Sequence, residues 1–295
     1  MSVLFDAPPN PTFEYQQADS WEEAVELLAL WGEDGKLIAG GQSLVPMLNL
    51  RLAAPGALID INPVGPQEPW IDGTELVLPA MTRHRQVIES ELVQRHCPML
   101  RHAVTLVGNV RVRARGTIGG SVAHADPTGE IPCVLVAARG RVVVQGPGGP
   151  RSIPASEFFV TYLTTAAESG EVVTEIRIPF GTHSQGWGFE EVTRRHSDFA
   201  TVAVASVAAP DQNGEPGDEF QIVIAGVADR PFQLEDRALD PLRSAGASHT
   251  SVETVAQNAA DLVEPESDVH ASADYRRVLT RALVKRTLLN AAGIE

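Results

Sequence analysis

Apolar positions along the chain switch between a helical and a strand period. Trp21, Ala24, Val25 and Leu28 recur at i, i+3, i+4 and i+7, which is one face of a helix. Ser20 and Glu23 stand ahead of that face at capping-box spacing, and Gly32 and Gly35 close it. Lys36 to Ala39 reads as a short strand broken by Gly40–Gly41. Ser43 is then placed to cap a second helix, Leu44 to about Leu52, with Pro46 tolerated in its first turn. "LIDI" (Leu58 to Ile61) is another strand, so the first stretch predicts a compact α/β unit.

The pattern changes from Glu75. "ELVLPA" predicts a strand, and mixed helical segments run to about Val107. A Gly- and Pro-punctuated stretch follows, with a short apolar helix near Pro132–Ala137 and a strand at Arg141–Val144. "QGPGGP" predicts a hairpin turn, and "EVVTEIRIP" a strand ending at Pro179. "FGTHSQGWG" marks a boundary. Beyond it "FEEVTRR", "FATVAVASVAA" and "EFQIVIAGV" alternate as three strands, with "DQNGEPGDE" as a polar loop. Two helices finish the chain: Val252–Val263, capped by Thr250 or Ser251, and a long one capped by Ser272. Tyr275, Val278, Leu279, Ala282 and Leu283 are expected to form the inner face of the latter.

Composition narrows the function. The 295 residues suffice for one large domain or two to three smaller ones. A formal net charge of −15 argues against nucleic acid or an anionic membrane as partner. Cys97 and Cys133 are too few for an iron–sulfur cluster or a disulfide framework, and are expected to be reduced thiols. The N-terminus lacks signal-peptide character and no window has transmembrane length, so the cytoplasm is the expected location.

Two glycine pairs carry the candidate chemistry. "AGGQS" (Ala39 to Ser43) lies between a strand and a helix. It fits either a tight turn or a backbone nest for a phosphate or pyrophosphate. "TIGGS" (Thr117 to Ser121) repeats the logic, so two Gly-Gly turns are expected to face one diphosphate. "AHADPTGEIP" adds His124, Asp126 and Glu130; a carboxylate there suits ribose or ribityl hydroxyls or a flavin ring N–H, and the set is too sparse for a metal. Arg111, Arg113 and Arg115 alternate as an exposed strand face, or as a docking strip. The cations of the last helix, Arg276, Arg277, Arg281, Lys285 and Arg286, read as a solvated face or a subunit contact.

"AGGQSLVPMLNLRLAAPGALIDI" and "RARGTIGGSVAHADPTGEIP" together resemble the two FAD motifs of the flavoprotein (medium) subunit in the xanthine dehydrogenase / carbon monoxide dehydrogenase family of molybdenum hydroxylases. "RRHSDFATVAVA" and "SADYRRVLTRALVKRTL" resemble the opening and the final helix of that family's C-terminal domain. The match runs in order over nearly the whole chain.

The resemblance implies an α+β protein. A two-subdomain FAD-binding domain of the vanillyl-alcohol-oxidase type (residues 1–62 and 63–180) would precede a small C-terminal domain (186–292) with a three-stranded antiparallel sheet and helices. Leu37, Ile38, Ala39, Gly40, Gly41, Gln42, Ser43 and Leu44 would wrap FAD, with Gly40 and Gly41 at the pyrophosphate. Thr117, Ile118, Gly119, Gly120 and Ser121 would hold it from the other side. Glu130 lies where relatives carry an FAD-binding Asp, and Val107 and Val173 where relatives line the flavin. No acid–base catalyst is implied on this chain. Electrons would arrive from a molybdopterin-bearing large subunit through two 2Fe-2S clusters on a small subunit, in a dimer of heterotrimers, and leave FAD for an external acceptor. A stand-alone flavin oxidoreductase and a flavin-free scaffold are the alternatives. Two departures stand out. Glu190 and Glu191 occupy a segment where relatives often carry Lys. Gln42 and Asn49 differ from the "AGGHSL" and following Lys of carbon monoxide oxidisers, which favours an organic heterocycle, aldehyde or ketone as substrate.

Overall fold

The computed structural model describes residues 12–180, 186–210 and 216–295. The tip of the "FGTHSQGWG" boundary and part of the "DQNGEPGDE" loop lie outside them.

The N-terminal unit comprises β1 (Glu14–Gln17), α1 (Trp21–Trp31), β2 (Gly35–Ile38), α2 (Leu44–Asn49) and β3 (Ala57–Asp60). Both outer strands run parallel to β3, giving the order β1-β3-β2, and parallel pairing needs the helical crossover that α1 supplies. The Ser20 hydroxyl accepts the Glu23 N–H at 3.1 Å, while the Glu23 carboxylate reaches back to the Asp19 N–H at 2.8 Å. Ala24 and Val25 then pack on Ile59 and Ile61. The second helix is shorter than expected, and Ser43 makes no side-chain cap. Its backbone is already helical, so its hydroxyl cannot reach the first-turn N–H groups as an extended cap residue does.

The central unit runs from β4 (Trp70–Asp72) and β5 (Glu75–Pro79) through six helices: α3 (His84–Glu89), α4 (Glu91–His96), α5 (Pro98–Leu106), α6 (Val110–Arg115), α7 (Ile118–His124) and α8 (Glu130–Ala137). It returns through β6 (Arg141–Gly146), β7 (Gly149–Pro154), α9 (Ala155–Phe158), β8 (Phe159–Thr161), β9 (Thr164–Thr165) and β10 (Val172–Pro179). A five-stranded antiparallel sheet, β4-β5-β10-β6-β7, results, with β8 and β9 as a separate hairpin. Leu76, Leu78, Ile176 and Ile178 face the helices. The opposite face carries Arg177, which bridges Asp72, Glu75 and Glu175. Arg111, Arg113 and Arg115 stand on a helix rather than a strand: Asn109 caps Arg111 N and Val112 N, and that capped turn overrides the alternation.

The C-terminal unit is an antiparallel sheet, β11 (Gly186–Thr193), β12 (Ala200–Pro210), β13 (Pro216–Ala225) and β14 (Phe232–Gln233), with α10 (Asp240–Ala245), α11 (His249–Leu262) and α12 (Ala273–Ala292). A two-residue fourth strand and a third helix thus join the expected elements. Ser248, not Thr250 or Ser251, caps α11, and Ser251 fills the reciprocal position of its capping box. Val202, Val204, Ile222 and Ile224 face the helices. Ala203, Ala205, Val207 and Val223 face the other way and join the core of the central unit around α8. Because the sheet is buried on both faces, β12 reads as one apolar run.

Helix α12 lies with Leu279, Leu283, Val284 and Leu288 on this sheet. Tyr275 and Val278, expected on that face, are 48% and 63% exposed. The buried face is rotated by Arg276, which is not solvated. It donates to Thr201 O at 2.5 Å, to Gly226 O at 2.9 Å and to Asp268 at 2.7 Å. Two carbonyls and a carboxylate on its Nη groups make the burial tolerable, although Nε is buried without a partner among the described residues. Further along, Gly188 lets α12 touch β11, since a Cβ there would stand 2.3 Å from Thr287 O. Gly188→Ala is therefore expected to lower stability by about 1–3 kcal/mol through overpacking. Gly148→Ala, where a Cβ meets nothing within 4 Å, is expected to leave stability within about 0.5 kcal/mol. Urea unfolding of both variants checks this.

Candidate functional site

Strand β2 delivers Leu37 and Ile38 to the edge of the N-terminal sheet, and the chain then turns through Ala39–Ser43. Gly41 takes φ +72°, a conformation that favours glycine. Gly40 answers a different demand. A Cβ there would lie 2.3 Å from the Arg115 carbonyl oxygen, so the first glycine pair is pressed against the chain just ahead of the second.

A polar frame holds that contact. The Asn62 amide donates to Ala39 O at 2.9 Å and to Asp60 Oδ1 at 2.5 Å. Its Oδ1 accepts from Arg83 Nη2 at 2.5 Å, and Arg83 Nη1 donates to the Arg115 carbonyl. One guanidinium thus ties the end of the first motif to the start of the second. His84, the next residue, continues the frame. Its N–H donates to Gly116 O at 3.0 Å, and its Nε2 lies 3.1 Å from Thr117 O and 3.0 Å from Ser121 Oγ. Burial pulls the His84 pKa down to about 4, so the ring is neutral at ordinary pH. With Nε2–H donating to Thr117 O, Nδ1 is left as a buried acceptor without a partner. Nothing in the spacing of Asn62, Arg83 and His84 marks them in the sequence. They become legible only when the fold brings their segments together.

The two glycine pairs differ in what they offer. In the first, the N–H groups of Gly41, Gln42 and Ser43 have no acceptor among the described residues, and the Gln42 amide folds back onto Gly40 O at 2.9 Å. In the second, Gly119 and Gly120 lie inside α7 rather than in a turn. Thr117 caps that helix, accepting the Gly120 N–H at 3.1 Å. Ile118 N–H donates to Thr82 O at 3.0 Å and Gly119 N–H to Ala80 O at 2.8 Å. The second pair therefore exposes no spare N–H among the described residues, and the expectation of a matching nest on this side is corrected. Gly119 is required by packing, since a Cβ would stand 2.4 Å from Ala80 Cβ. Gly120 is exposed, and a Cβ on it would meet only the Thr117 hydroxyl.

Glu130 opens α8 after the tight Asp126–Gly129 turn, in which the Asp126 carboxylate accepts Thr128 N–H and O–H at 2.8 and 2.7 Å. Burial, with Glu191 and Asp126 nearby, pushes the Glu130 carboxyl up to about 8. Val107 ends α5, half-buried, with its carbonyl accepting Arg113 Nη1 at 3.0 Å. Val173 is 8% exposed on β10, within the central core. The fold thus presses the first glycine pair against Arg115 and Gly116, directly ahead of residues 117–121, and Glu130 follows α7 after one turn. Val107 and Val173 belong to the walls of the central unit.

The gathered groups are spare N–H donors, a Cβ-free helix surface, hydroxyls and a carboxyl. They suit an extended ligand with a phosphate and hydrogen-bonding rings. No helix among the described residues is long and apolar enough to cross a membrane.

Residues 11–181 match the family model described as FAD binding domain in molybdopterin dehydrogenase, and residues 187–291 match the CO dehydrogenase flavoprotein C-terminal domain. The chain is 37% identical to the carbon monoxide dehydrogenase medium chain of Hydrogenophaga pseudoflava, over 96% of this chain and 97% of that one. It is 36% identical to 6-hydroxypseudooxynicotine dehydrogenase complex subunit alpha of Paenarthrobacter nicotinovorans, over 95% of each. Its fold superimposes on the carbon monoxide dehydrogenase structure from Hydrogenophaga pseudoflava with a TM-score of 0.90 at 36% identity, covering 96% and 98% of the two chains. For quinoline 2-oxidoreductase from Pseudomonas putida 86 the TM-score is 0.89 at 33% identity, with the same coverage. The chain belongs to the family of FAD-binding medium subunits of the molybdenum hydroxylases.

Proposed function

We propose that this chain is the electron-transfer subunit of a cytoplasmic, three-component molybdenum hydroxylase, and that it holds FAD across the junction of its two glycine motifs. The observation that carries the placement is the frame of Asn62, Arg83 and Arg115, which locks a turn with spare N–H donors against a glycine-bearing helix. The N–H groups of Gly41, Gln42 and Ser43 take the pyrophosphate, as an αL glycine nest does. Leu37, Ile38, Ala39, Gly40 and Leu44 shape that side. Thr117, Ile118, Gly119, Gly120 and Ser121 form the opposite wall, where the bare Cα of Gly120 admits close approach. Glu130 receives hydroxyl or ring N–H donors, and Val107 and Val173 back the ring system.

FAD, when bound, supplies the redox chemistry, accepting electrons from one partner and passing them to an acceptor. The chain's own residues bind it, orient it and set the charge around it. The partners in this reading are a large molybdopterin-bearing subunit, where an organic heterocycle, aldehyde or ketone is hydroxylated, and a small subunit with two 2Fe-2S clusters, assembled as a dimer of heterotrimers. Gln42 and Asn49, at positions where carbon monoxide oxidisers differ, support an organic substrate.

Gly41→Val and Gly120→Val are each expected to weaken FAD binding at least tenfold, the first because losing even one charge-assisted contact to phosphate amounts to about 1.5–3 kcal/mol, the second because its side chain fills the surface that Gly120 leaves open. The C-terminal unit is expected to stay folded. Flavin absorbance of the purified proteins, with circular dichroism as the folding control, reads this; stoichiometric FAD in both variants removes the placement. The subunit assignment is checked by co-purification of the native protein, which is expected to bring down both partners. A lone chain that oxidises substrate sinks it.

A further inference from the structure

The ring of His84 bridges the two glycine motifs. His84 opens α3 and is 2% exposed. One edge of the ring packs on Gly116, where a Cβ would stand 2.9 Å from both Cε1 and Nδ1. The same Gly116 is pressed against the first motif, since a Cβ on Gly40 would lie 2.9 Å from its Cα. The other edge of the ring points Nε2 at Thr117 O, 3.1 Å away, and at Ser121 Oγ, 3.0 Å away.

This geometry decides where each hydrogen goes. A carbonyl only accepts, so Nε2 carries the hydrogen directed at Thr117 O. Ser121 Oγ lies within reach of the same hydrogen and accepts it in a three-centre bond. A proton on Nδ1 would be a buried donor against the Gly116 backbone with nothing to receive it, so Nδ1 stays bare. Burial keeps the ring neutral at ordinary pH, in agreement. The Ser121 hydroxyl hydrogen then has nowhere to go inside the protein. Nε2 offers it no lone pair. A helical serine commonly returns its hydroxyl hydrogen to the carbonyl four residues back, but here that carbonyl is Thr117 O. Its two lone pairs take Nε2–H and the Ser121 N–H, the latter at 3.1 Å. Ser121 O–H has no acceptor among the described residues, and Ser121 is half-buried rather than enclosed.

We propose that His84 is a positioning residue that turns the Ser121 hydroxyl hydrogen outward, as a side-chain donor to a phosphate oxygen of FAD. The inference rests on the FAD placement above. It gives the second motif one donor where the N–H groups of Ile118, Gly119 and Gly120 are spent. Phosphate is the part of FAD within reach, because direct contacts lead from Ser121 through His84 and Gly116 to Gly40, beside the turn with the spare N–H groups. His84 itself is enclosed and touches no ligand; it acts through Ser121.

In the FAD-stripped full chain, Ser121→Ala is expected to raise Kd for FAD about tenfold, the effect of one lost hydrogen bond to a charged group. It is also expected to shift a phosphorus-31 resonance of the bound FAD. His84→Leu leaves Thr117 O open to the Ser121 hydroxyl, so its loss is expected to match that of Ser121→Ala, and the double variant to lose no more than either single one. His84→Gln carries an N–H about as far out as Nε2 and is expected to restore Kd to within about threefold of wild type. That rescue separates positioning from packing, since Leu and Gln fill similar space. Fluorescence titration reads Kd, and circular dichroism controls for folding. Should His84→Leu not fold, nitrogen-15 NMR of the wild-type His84 imidazole at neutral pH decides, with Nε2 protonated and Nδ1 bare as the expected result. A protonated Nδ1, an unchanged Kd and phosphorus spectrum in Ser121→Ala, or additive losses in the double variant overturns the inference while leaving the FAD placement at Gly41 to Ser43 standing. Failure of the wild-type chain to bind FAD overturns both.

Discussion

The guanidinium of Arg83 is the contact on which the site depends. It reaches Asn62 on one side and the Arg115 carbonyl on the other, and so fixes two backbone segments far apart in sequence. Neither segment is a binding site alone. The first is a strand-to-helix turn and the second is a helix start pinned to the tail of β5. Their juxtaposition sets a turn with spare N–H donors beside the chain that leads into the glycine-bearing helix. His84 completes the frame from the next position, and its neutrality matters there. A charged imidazolium packed on the Gly116 backbone would add repulsion beside Arg83 and Arg113, whose charges already disfavour its protonation.

A second constraint joins this site to the C-terminal unit. The sheet β11-β12-β13-β14 presents one face to its own helices and the other to α8, so the two halves of the chain share a hydrophobic core. The small side chains Ala203 and Ala205 let α8 approach closely. Arg276 fastens α12 to Thr201 and Gly226, and the Gly226 N–H in turn donates to Pro127 O at 3.0 Å, in the turn that leads to Glu130. The C-terminal unit therefore buttresses the turn that leads to Glu130.

Much of this was legible in the sequence, and the failures have physical causes. Periodicity and caps located α1, α8, α12 and eight of the fourteen described strands, because each has a strong local signal such as Ser20, Ser272 or the β12 apolar run, whereas β1, β4, β7, β8, β9 and β14 carry none. Pattern misjudged the arginine stretch Val110–Arg115, where strict alternation suggested a strand. Asn109 decided the matter with one cap. It also rotated α12, because Tyr275 and Val278 look like core residues while Arg276 and Thr280 do not. Burial of Arg276 depends on carbonyls at Thr201 and Gly226 that no local reading can supply. The glycine pairs were found, but their separate duties were not. Asn62, Arg83 and His84 had no signal, since a lone polar residue acquires meaning only from its tertiary partners.

Those separate duties change what the motifs mean. The four glycines divide into two kinds. Gly40 and Gly119 are glycines because backbone or side chain of the same protein occupies the space a Cβ would take, at 2.3 and 2.4 Å. They hold the frame together, and substituting them strains the fold before any ligand arrives. Gly41 and Gly120 are glycines for other reasons, a positive φ at the first and an open surface at the second. One member of each pair thus belongs to the scaffold, and the other is left to the ligand of the proposed placement. In the proposed placement the anion is gripped by backbone N–H groups from one side only, those of Gly41 to Ser43, because the α7 side has spent its own on Thr82, Ala80 and Thr117. A donor-poor wall contributes contact and exclusion of water, and it strengthens the electrostatic hold of the opposing N–H groups by lowering the local dielectric. The apparent symmetry of "AGGQS" and "TIGGS" conceals a division of labour between a polar grip and a packed surface.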